Sequence, residues 1–302
     1  MRQAIALLIT LFFIILITIA LGVSLKQTNK AKKELLEERF LIQSNVILED
    51  VLQMLRDSKE LNAIVNDDTG TLLYSFLSSS SFIPIQSNGY KIGISIASGS
   101  SKFNINNLQE SNTTNTTNKK ELFRSFLVNH QIEGDFLEVL CDTMDGFKED
   151  ATYNSDIFLH NPELFRNYLT SSNHLETLLL YYKKTYHENP YKDIEWGELL
   201  TFLPTNKAKI NLNYATPAVW ELLTGCSPSR AKLLSQNGGA YSTLDDIGLD
   251  ENEKERLSAF RTTFFDTSLS IAVTITYEEL ESSFSFLYDL KTKRGTNFAY
   301  NI

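Results

Sequence analysis

An acidic run near the middle of the chain is the strongest candidate for binding chemistry. It contains Asp142, Asp145, Glu149, Asp150 and Asp156. Calcium takes oxygen ligands such as carboxylates, so this run could hold the ion. Its spacing differs from that of an EF-hand loop, and a solvated acidic face is the alternative interpretation. We therefore keep calcium as an open ligand, with Asp142, Asp145 and Asp150 as the candidate residues.

Residue patterns typical of enzymes do not occur in the sequence. It has no HExxH, GxSxG or P-loop motif and no cysteine pairs at zinc-binding spacing. The histidines are scattered, which favours isolated surface or core side chains, and they are His130, His160, His174 and His187. We predict a protein that is not an enzyme and needs no cofactor, with calcium as the one ligand left open.

Composition narrows the class of partner. The chain has 302 residues, a formal net charge of −9 and 42% hydrophobic residues, which is enough for a substantial core. Binding to phosphates of nucleic acid needs clustered Lys and Arg, so the acidic balance argues against such a partner. Cys141 and Cys226 could form one disulfide on the oxidising side of a membrane or stay as buried thiols.

The first element of the chain is an apolar segment at residues 4–23, in which Thr10 and Thr18 are the only polar side chains. At a rise of about 1.5 Å per residue, a helix of this length covers about 30 Å, the hydrocarbon thickness of a bilayer. We predict a single membrane helix with its leader within residues 1–26. A secretory signal cleaved after Gly22 is the alternative. Composition alone leaves the side of the membrane open, because several lysines follow the span.

The segment 27–66 is predicted to continue this helix as an amphipathic rod. Its apolar side chains recur at spacings of four or seven along one face, and they are Leu36, Phe40, Ile47, Val51 and Leu55. No Pro or Gly lies between Ser24 and Asp68, so nothing in the composition breaks the rod. Its apolar face is expected to pack on the body of the protein.

Alternating apolar residues predict strands near both ends of the body. Residues 90–97 alternate after the turn dipeptide at 88–89, with 82–85 as the expected partner strand. Residues 269–277 and 284–290 alternate again, as expected for an antiparallel hairpin with one buried face. Two shorter segments could add strands, and these are 102–105 and 296–302.

A polar tract and a change of composition divide the body. NTTNTTN at 112–118 has the composition of an exposed linker, and residues 119–203 then show helical spacing. We predict an α+β protein in which an inserted all-α domain at 112–263 separates two halves of an antiparallel sheet, at 67–111 and 264–302.

Residues 210–247 predict two short helices joined by a tight turn, similar to a helix-hairpin-helix unit. Thr216 and Ser227 are suited to cap the helices, and Gly225 and Gly238 to end them. The turn lacks the second glycine of nucleic-acid-binding versions, and the local charge balance is acidic. We therefore interpret the pair as a packing module and expect no nucleic-acid site.

Several short motifs follow one another along the chain: AIALLIT at 4–10, KFNINNL at 102–108, EWGEL at 195–199, INLNYATP at 210–217 and YSTLDD at 241–246. In this order they resemble the general secretion pathway protein K family, the large minor pseudopilins of type II secretion systems. The resemblance implies a pilin-like fold, with a long N-terminal helix against an antiparallel sheet and a large helical insertion.

The resemblance also implies a processing site and a topology. Prepilin peptidase would cut between Ala4, where the family usually has Gly, and Ile5. Leu7 and Leu8 would begin the apolar run that packs on partner helices in the bacterial inner membrane, with the body in the periplasm. Ile9 stands where most major pilins carry Glu, and a carboxylate inside lipid is costly unless it is paired.

The resemblance therefore implies a structural subunit of a short periplasmic filament, placed at its tip. The expected partners are other minor pseudopilins, inner-membrane components of the secretion system and prepilin peptidase. Two alternatives remain open at this point: a minor pilin of a type IV pilus or competence system, and a membrane-anchored DNA-binding protein that uses the paired helices.

Overall fold

The fold is described from a computed structural model of the chain. Side chains are described for residues 21, 22, 24–67, 70–109, 118–133, 135–148, 152–191 and 193–301, and the backbone is described in addition for 2–20 and 23.

Helices and strands are numbered here in chain order. The helices are α1 (Arg2–Asp57), α2 (Lys59–Ile64), α3 (Thr71–Ser80), α4 (Lys119–Asn129), α5 (Asp135–Met144), α6 (Ile157–His160), α7 (Ser172–Tyr186), α8 (Trp196–Leu199), α9 (Pro217–Thr224), α10 (Pro228–Gln236), α11 (Leu244–Ile247) and α12 (Glu251–Ser258). The strands are β1 (Phe82–Ser87), β2 (Tyr90–Ser98), β3 (Phe103–Asn104), β4 (Leu200–Thr201), β5 (Ile210–Asn211), β6 (Thr262–Thr263), β7 (Ser268–Tyr277), β8 (Leu280–Asp289) and β9 (Arg294–Asn301).

The long helix α1 packs across β7 and β8 through the apolar face that its sequence predicts. Phe40, Val51 and Leu55 are buried on that face. The predicted rod is interrupted at Ser58, whose backbone is extended and whose hydroxyl accepts a hydrogen bond from the N–H of Leu61 at 3.2 Å. This side-chain cap starts α2 as a separate helix, an effect that a search for Pro and Gly does not detect.

One antiparallel sheet of five strands, in the order β1-β2-β7-β8-β9, forms the other layer. Inward-facing residues of neighbouring strands meet in register, as Ile94 does with Val273 and Val273 with Phe284. The segment 296–302 supplies most of the edge strand β9, as predicted. The segment 102–105 does not join this sheet, because its β3 pairs in parallel with β4 instead.

Helices α4 to α12 form an inserted unit between β2 and β7, with a core of its own, whereas α2 and α3 pack in the core under the sheet. This unit is mainly helical, but it also contains the two short parallel pairs β3–β4 and β5–β6. Its core includes Phe103, Ile105 and Leu108, which the sequence analysis assigned to the sheet half. The insertion therefore begins near Gly99 and not at 112, and most of the polar tract (residues 112–117) lies outside the described residues.

Candidate assembly surface

A stripe of apolar side chains lies on the face of α1 that points away from the sheet. Leu35, Ile42 and Val46 are 48%, 60% and 43% exposed. Their spacings of seven and four place them on one side of the helix, opposite the buried face. We call these three residues the outer stripe. The sequence analysis missed it, although apolar residues outside the buried pattern at heptad spacing were a usable signal.

A groove of about 570 Å³ lies between α1 and the first two strands. Its apolar lining comes from both layers and consists of Ile47, Val51, Met54, Ile85, Tyr90 and Ile92. Tyr90 stacks on Tyr277 with ring centroids 4.5 Å apart, and burial raises the pKa of its hydroxyl. The groove and the outer stripe together leave one flank of α1 uncovered by the rest of the described chain.

A buried polar pair fixes the position of α1 on the sheet. The hydroxyl of Ser282 in β8 donates to the hydroxyl of Ser44 in α1 at 3.1 Å, and both residues are 1% exposed. A buried hydroxyl without a partner is costly, so sliding or rotating the helix would be opposed by the loss of this bond. The pair therefore keeps the outer stripe directed toward solvent.

The asparagines of the KFNINNL motif hold the loops of the inserted unit. The side chain of Asn104 accepts from the N–H of Leu203 at 3.0 Å and donates to its carbonyl oxygen at 3.3 Å. Asn106 accepts from the N–H of Leu169 at 2.8 Å and donates to its carbonyl at 2.9 Å. Both asparagines are buried, so these amides satisfy backbone groups that no regular element pairs.

Asn213 has the same role beside the paired helices. Its Oδ1 accepts from the N–H groups of Gly239 and Tyr241, each at 2.9 Å. Its Nδ2 donates to the carbonyl oxygens of Tyr241 and Phe264, each at 2.8 Å. One side chain thus joins the segment after α10 to the segment that leads into β7. Asn213 belongs to the INLNYATP motif, so this residue of the motif has a structural role.

The paired helices are α9 and α10, and the predicted caps are confirmed. Thr216 accepts from the N–H of Val219 at 3.3 Å, and Ser227 from that of Arg230 at 3.4 Å. Gly225 ends α9 with φ +69°, a left-handed conformation that favours glycine. The second helix ends at Gln236, slightly before the predicted glycine.

The turn between α9 and α10 is covered by a side chain of the same unit. A Cβ atom at Gly225 would lie 2.6 Å from Nε of Arg256, so the guanidinium rests directly on the turn. Burial lowers the pKa of Arg256. Next to it, Arg230 is bound to Glu253, with Nη2 and Oε2 2.7 Å apart. The guanidinium groups of Arg256 and Arg230 are therefore in contact with other groups of the protein, which agrees with a packing role for the paired helices.

The calcium candidates fall into three different situations. Asp142 is fully buried, and its carboxylate accepts from the N–H of Asn154 at 3.1 Å and from the N–H and hydroxyl of Ser155, each at 2.7 Å. Asp145 is paired with Lys148 at 3.1 Å. Asp150 lies outside the described residues. Within the described ranges, no group of three or more His, Cys, Asp or Glu side chains could hold a metal ion, and calcium binding stays a prediction.

The histidines and cysteines do not converge on one site. His130 pairs with Glu221 at 3.2 Å, between α4 and α9. His174 is 7% exposed, its Nε2 has no hydrogen-bond partner within the described structure, and burial lowers its pKa. Cys141 and Cys226 are both free thiols. His160 lies 5.7 Å from the ring of Tyr181, and His187 ends α7.

The residues predicted for processing and membrane assembly, Ala4, Ile5, Leu7, Leu8 and Ile9, lie outside the residues whose side chains are described. The same holds for nearly all of the predicted span at 4–23. Among the residues that the structure describes, no helix has the length and apolar character needed to cross a membrane.

The architecture is similar to that of a solved protein. One match is a chain in the crystal structure of the GspK-GspI-GspJ complex from the type 2 secretion system of enterotoxigenic Escherichia coli. The TM-score is 0.55 at 15% sequence identity, over 90% of this chain and 98% of that one. No protein-family model matches the sequence, and no curated protein does. The predicted α+β fold, with a long N-terminal helix and an antiparallel sheet, is therefore confirmed, and at this identity the likeness concerns the fold.

Proposed function

We propose that this protein is a minor pseudopilin of a type II secretion system, a structural subunit that assembles through α1. The observation that carries the proposal is the uncovered flank of α1, where the outer stripe lies beside an apolar groove. Apolar residues spaced by seven and four are the pattern that a second helix buries on packing. A chain of similar fold was crystallised in a complex named for three Gsp proteins, which supports partners of the same kind.

The membrane part of the proposal rests on the sequence. Residues 4–23 would anchor the chain in the bacterial inner membrane, with the body in the periplasm and α1 rising without a break from the span. Prepilin peptidase would cut between Ala4 and Ile5. Leu7, Leu8 and Ile9 would then pack on partner helices in the lipid, and an uncharged Ile9 would need no ionic partner there.

The tip of the filament is the position that we propose within the assembly. The inserted unit joins the sheet where β2 ends and β7 begins, at the end of the sheet near the C-terminus of α1. A unit of this size at the membrane-distal end would obstruct a subunit stacked above it. It would leave the lower part of α1 free for lateral partners.

The test is to add charge to the outer stripe of the full chain in its native membrane. In the double variant Ile42→Asp/Val46→Asp, we expect at least about a tenfold loss of co-purified partner pseudopilins and of protein secretion, because buried interface anchors dominate binding. Leu233→Asp is the matched control, since Leu233 is 60% exposed on α10 of the inserted unit. An equal loss in both variants would contradict the assignment of this surface.

A second measurement distinguishes a type II secretion system from a type IV pilus or competence system. The mature N-terminus and mass, with and without prepilin peptidase, should show a peptidase-dependent start at Ile5. Suppose that the same cut occurs, and that loss of the protein leaves secretion normal but impairs piliation or DNA uptake. This result would favour a minor pilin of a type IV pilus or competence system. An uncut terminus would leave an anchored protein outside the pilin class.

A further inference from the structure

The turn between β8 and β9 is held by hydrogen bonds and has three positively charged side chains. Lys291, Lys293 and Arg294 lie within it or directly after it. Oδ1 of Asp289 accepts the N–H of Thr292 at 2.6 Å, and the carbonyl oxygen of Asp289 accepts the N–H of Lys293 at 2.8 Å. The acidic side chain at the start of the turn is therefore engaged with the backbone, and the three cationic side chains project from a turn of fixed shape.

The C-terminal end of α1 adds two cations to the same place. Nζ of Lys293 lies 3.4 Å from the carbonyl oxygen of Arg56, which joins the turn to the last residues of the helix. Lys59 follows at the start of α2. We call Arg56, Lys59, Lys291, Lys293 and Arg294 the basic end. Four of the five are exposed, Lys293 is half-buried, and none forms an ion pair with another described residue.

The charge at this end differs in sign from that of the whole chain. Its five cations outnumber the three acids next to them in the sequence, Asp57, Glu60 and Asp289, so the balance of these segments is about +2 by formal charge, against −9 for the protein. The turn at the other end of β8 is acidic and carries Glu278, Glu279 and Glu281. Charge is therefore segregated along the sheet, and the basic end is a local positive potential on an acidic body.

We propose that the basic end binds an acidic segment of a protein partner. Unpaired cations on a preformed turn attract an anionic surface at little cost in ordering. The predicted span ends at residue 23, and Arg56 lies about 50 Å farther along the continuous helix α1 at about 1.5 Å per residue. That distance is several Debye lengths, so lipids of the same membrane are poor candidates for the occupant.

The inference rests on the charges and contacts of the sheet end and does not depend on a role in secretion. The experiment uses the full chain in a neutral detergent and a fluorescein-labelled peptide of Glu-Gly repeats as the probe. Fluorescence anisotropy gives the affinity in about 50 mM and about 300 mM NaCl, two conditions that differ strongly in screening. We expect binding at low salt that weakens at high salt.

Charge reversal locates the binding surface. Lys291→Glu/Lys293→Glu/Arg294→Glu should weaken the affinity at least about tenfold, because the new charges repel the peptide. The matched control reverses three exposed lysines of the inserted unit, Lys184→Glu/Lys209→Glu/Lys232→Glu, and should change it less than about twofold. The neutral triple variant with Gln at 291, 293 and 294 should give an intermediate loss, and it keeps the test valid if the reversed turn fails to fold.

Four outcomes would overturn the proposal. The first is no measurable binding by the native chain, and the second is an equal loss of affinity in the control variant. The third is tighter binding to phosphatidylglycerol vesicles than to the peptide, with the same dependence on the basic end. The fourth is a self-associated form, seen by light scattering, that charge reversal dissociates. The third would identify an anionic lipid as the occupant, and the fourth a second copy of the chain.

Discussion

The sheet half and the inserted unit bury separate cores by different means. In the sheet half, backbone groups pair between strands, and alternate side chains such as Ile94, Val273 and Phe284 fill the space under α1. In the inserted unit, short helices are joined by loops, and among the described residues only the two-residue pairs β3–β4 and β5–β6 give this backbone strand partners. Buried amides of Asn106 and Asn213 satisfy backbone groups of these loops.

The difference shows how each half depends on single residues. A sheet distributes its hydrogen bonds over many backbone pairs, so one side chain contributes mainly its apolar volume. In a loop-rich unit, a few side chains make the hydrogen bonds that buried backbone groups need. The loss of one such side chain therefore leaves several buried groups unpaired. The same reasoning predicts that the two halves can be destabilised separately.

The largest expected effect comes from removing the central side chain of the inserted unit. Trp220 is fully buried and contacts Tyr241 edge-on, with ring centroids 6.3 Å apart. Trp220→Ala should lower the free energy of unfolding by about 3–5 kcal/mol through lost burial and a cavity. Hydrogen exchange should show loss of protection in α9, α10 and α12 while amides of β7 and β8 stay protected.

The reciprocal variant is Ile271→Ala in β7, where Ile271 is fully buried in the sheet core. It should cost about 2–5 kcal/mol and show the opposite pattern of exchange. Equal loss of protection in both halves for either variant would mean that the two cores unfold as one unit, and the comparison would fail.

A smaller effect tests the role of the buried amides. Asn213→Ala removes four hydrogen bonds and leaves two N–H groups and two carbonyl oxygens without their partner. We expect a loss of about 3 kcal/mol in thermal or denaturant unfolding, since each buried unpaired group is costly. Asn173→Ala, at an exposed asparagine of α7, should change stability by less than about 0.5 kcal/mol. A similar small value for Asn213→Ala would show that water replaces the amide.

The two halves also differ in how well their sequence predicts them. Period-two alternation predicted β2, β7 and β8 because one face of each strand is buried and the other is not. Cap residues predicted α9 and α10 because Thr216, Ser227 and Gly225 meet local backbone requirements. These signals depend only on neighbours in the chain.

Other features depend on contacts between distant residues and escaped prediction. The segment 103–108 joined the inserted core because its asparagines bond to loops about a hundred residues later in the chain. The break at Ser58 required knowledge of a side-chain cap within an otherwise helical pattern. The heptad spacing of the outer stripe was visible in the sequence, but the packing of α1 was needed to show that this face is the exposed one.

The smallest expected effect uses pH to distinguish the halves, since all four histidines lie in the inserted unit. Burial lowers the pKa of His174 below its usual 6.5, so the unfolded chain takes up a proton that the folded chain resists. Stability should therefore fall as pH decreases below 6.5, by at most about 1.4 kcal/mol per pH unit for one group. His174→Leu should remove this part of the pH dependence, measured by hydrogen exchange in α7 between about pH 7 and pH 5. An unchanged profile in the variant would assign the effect to another histidine, and an equal response in β7 and β8 would show that the sheet half shares it.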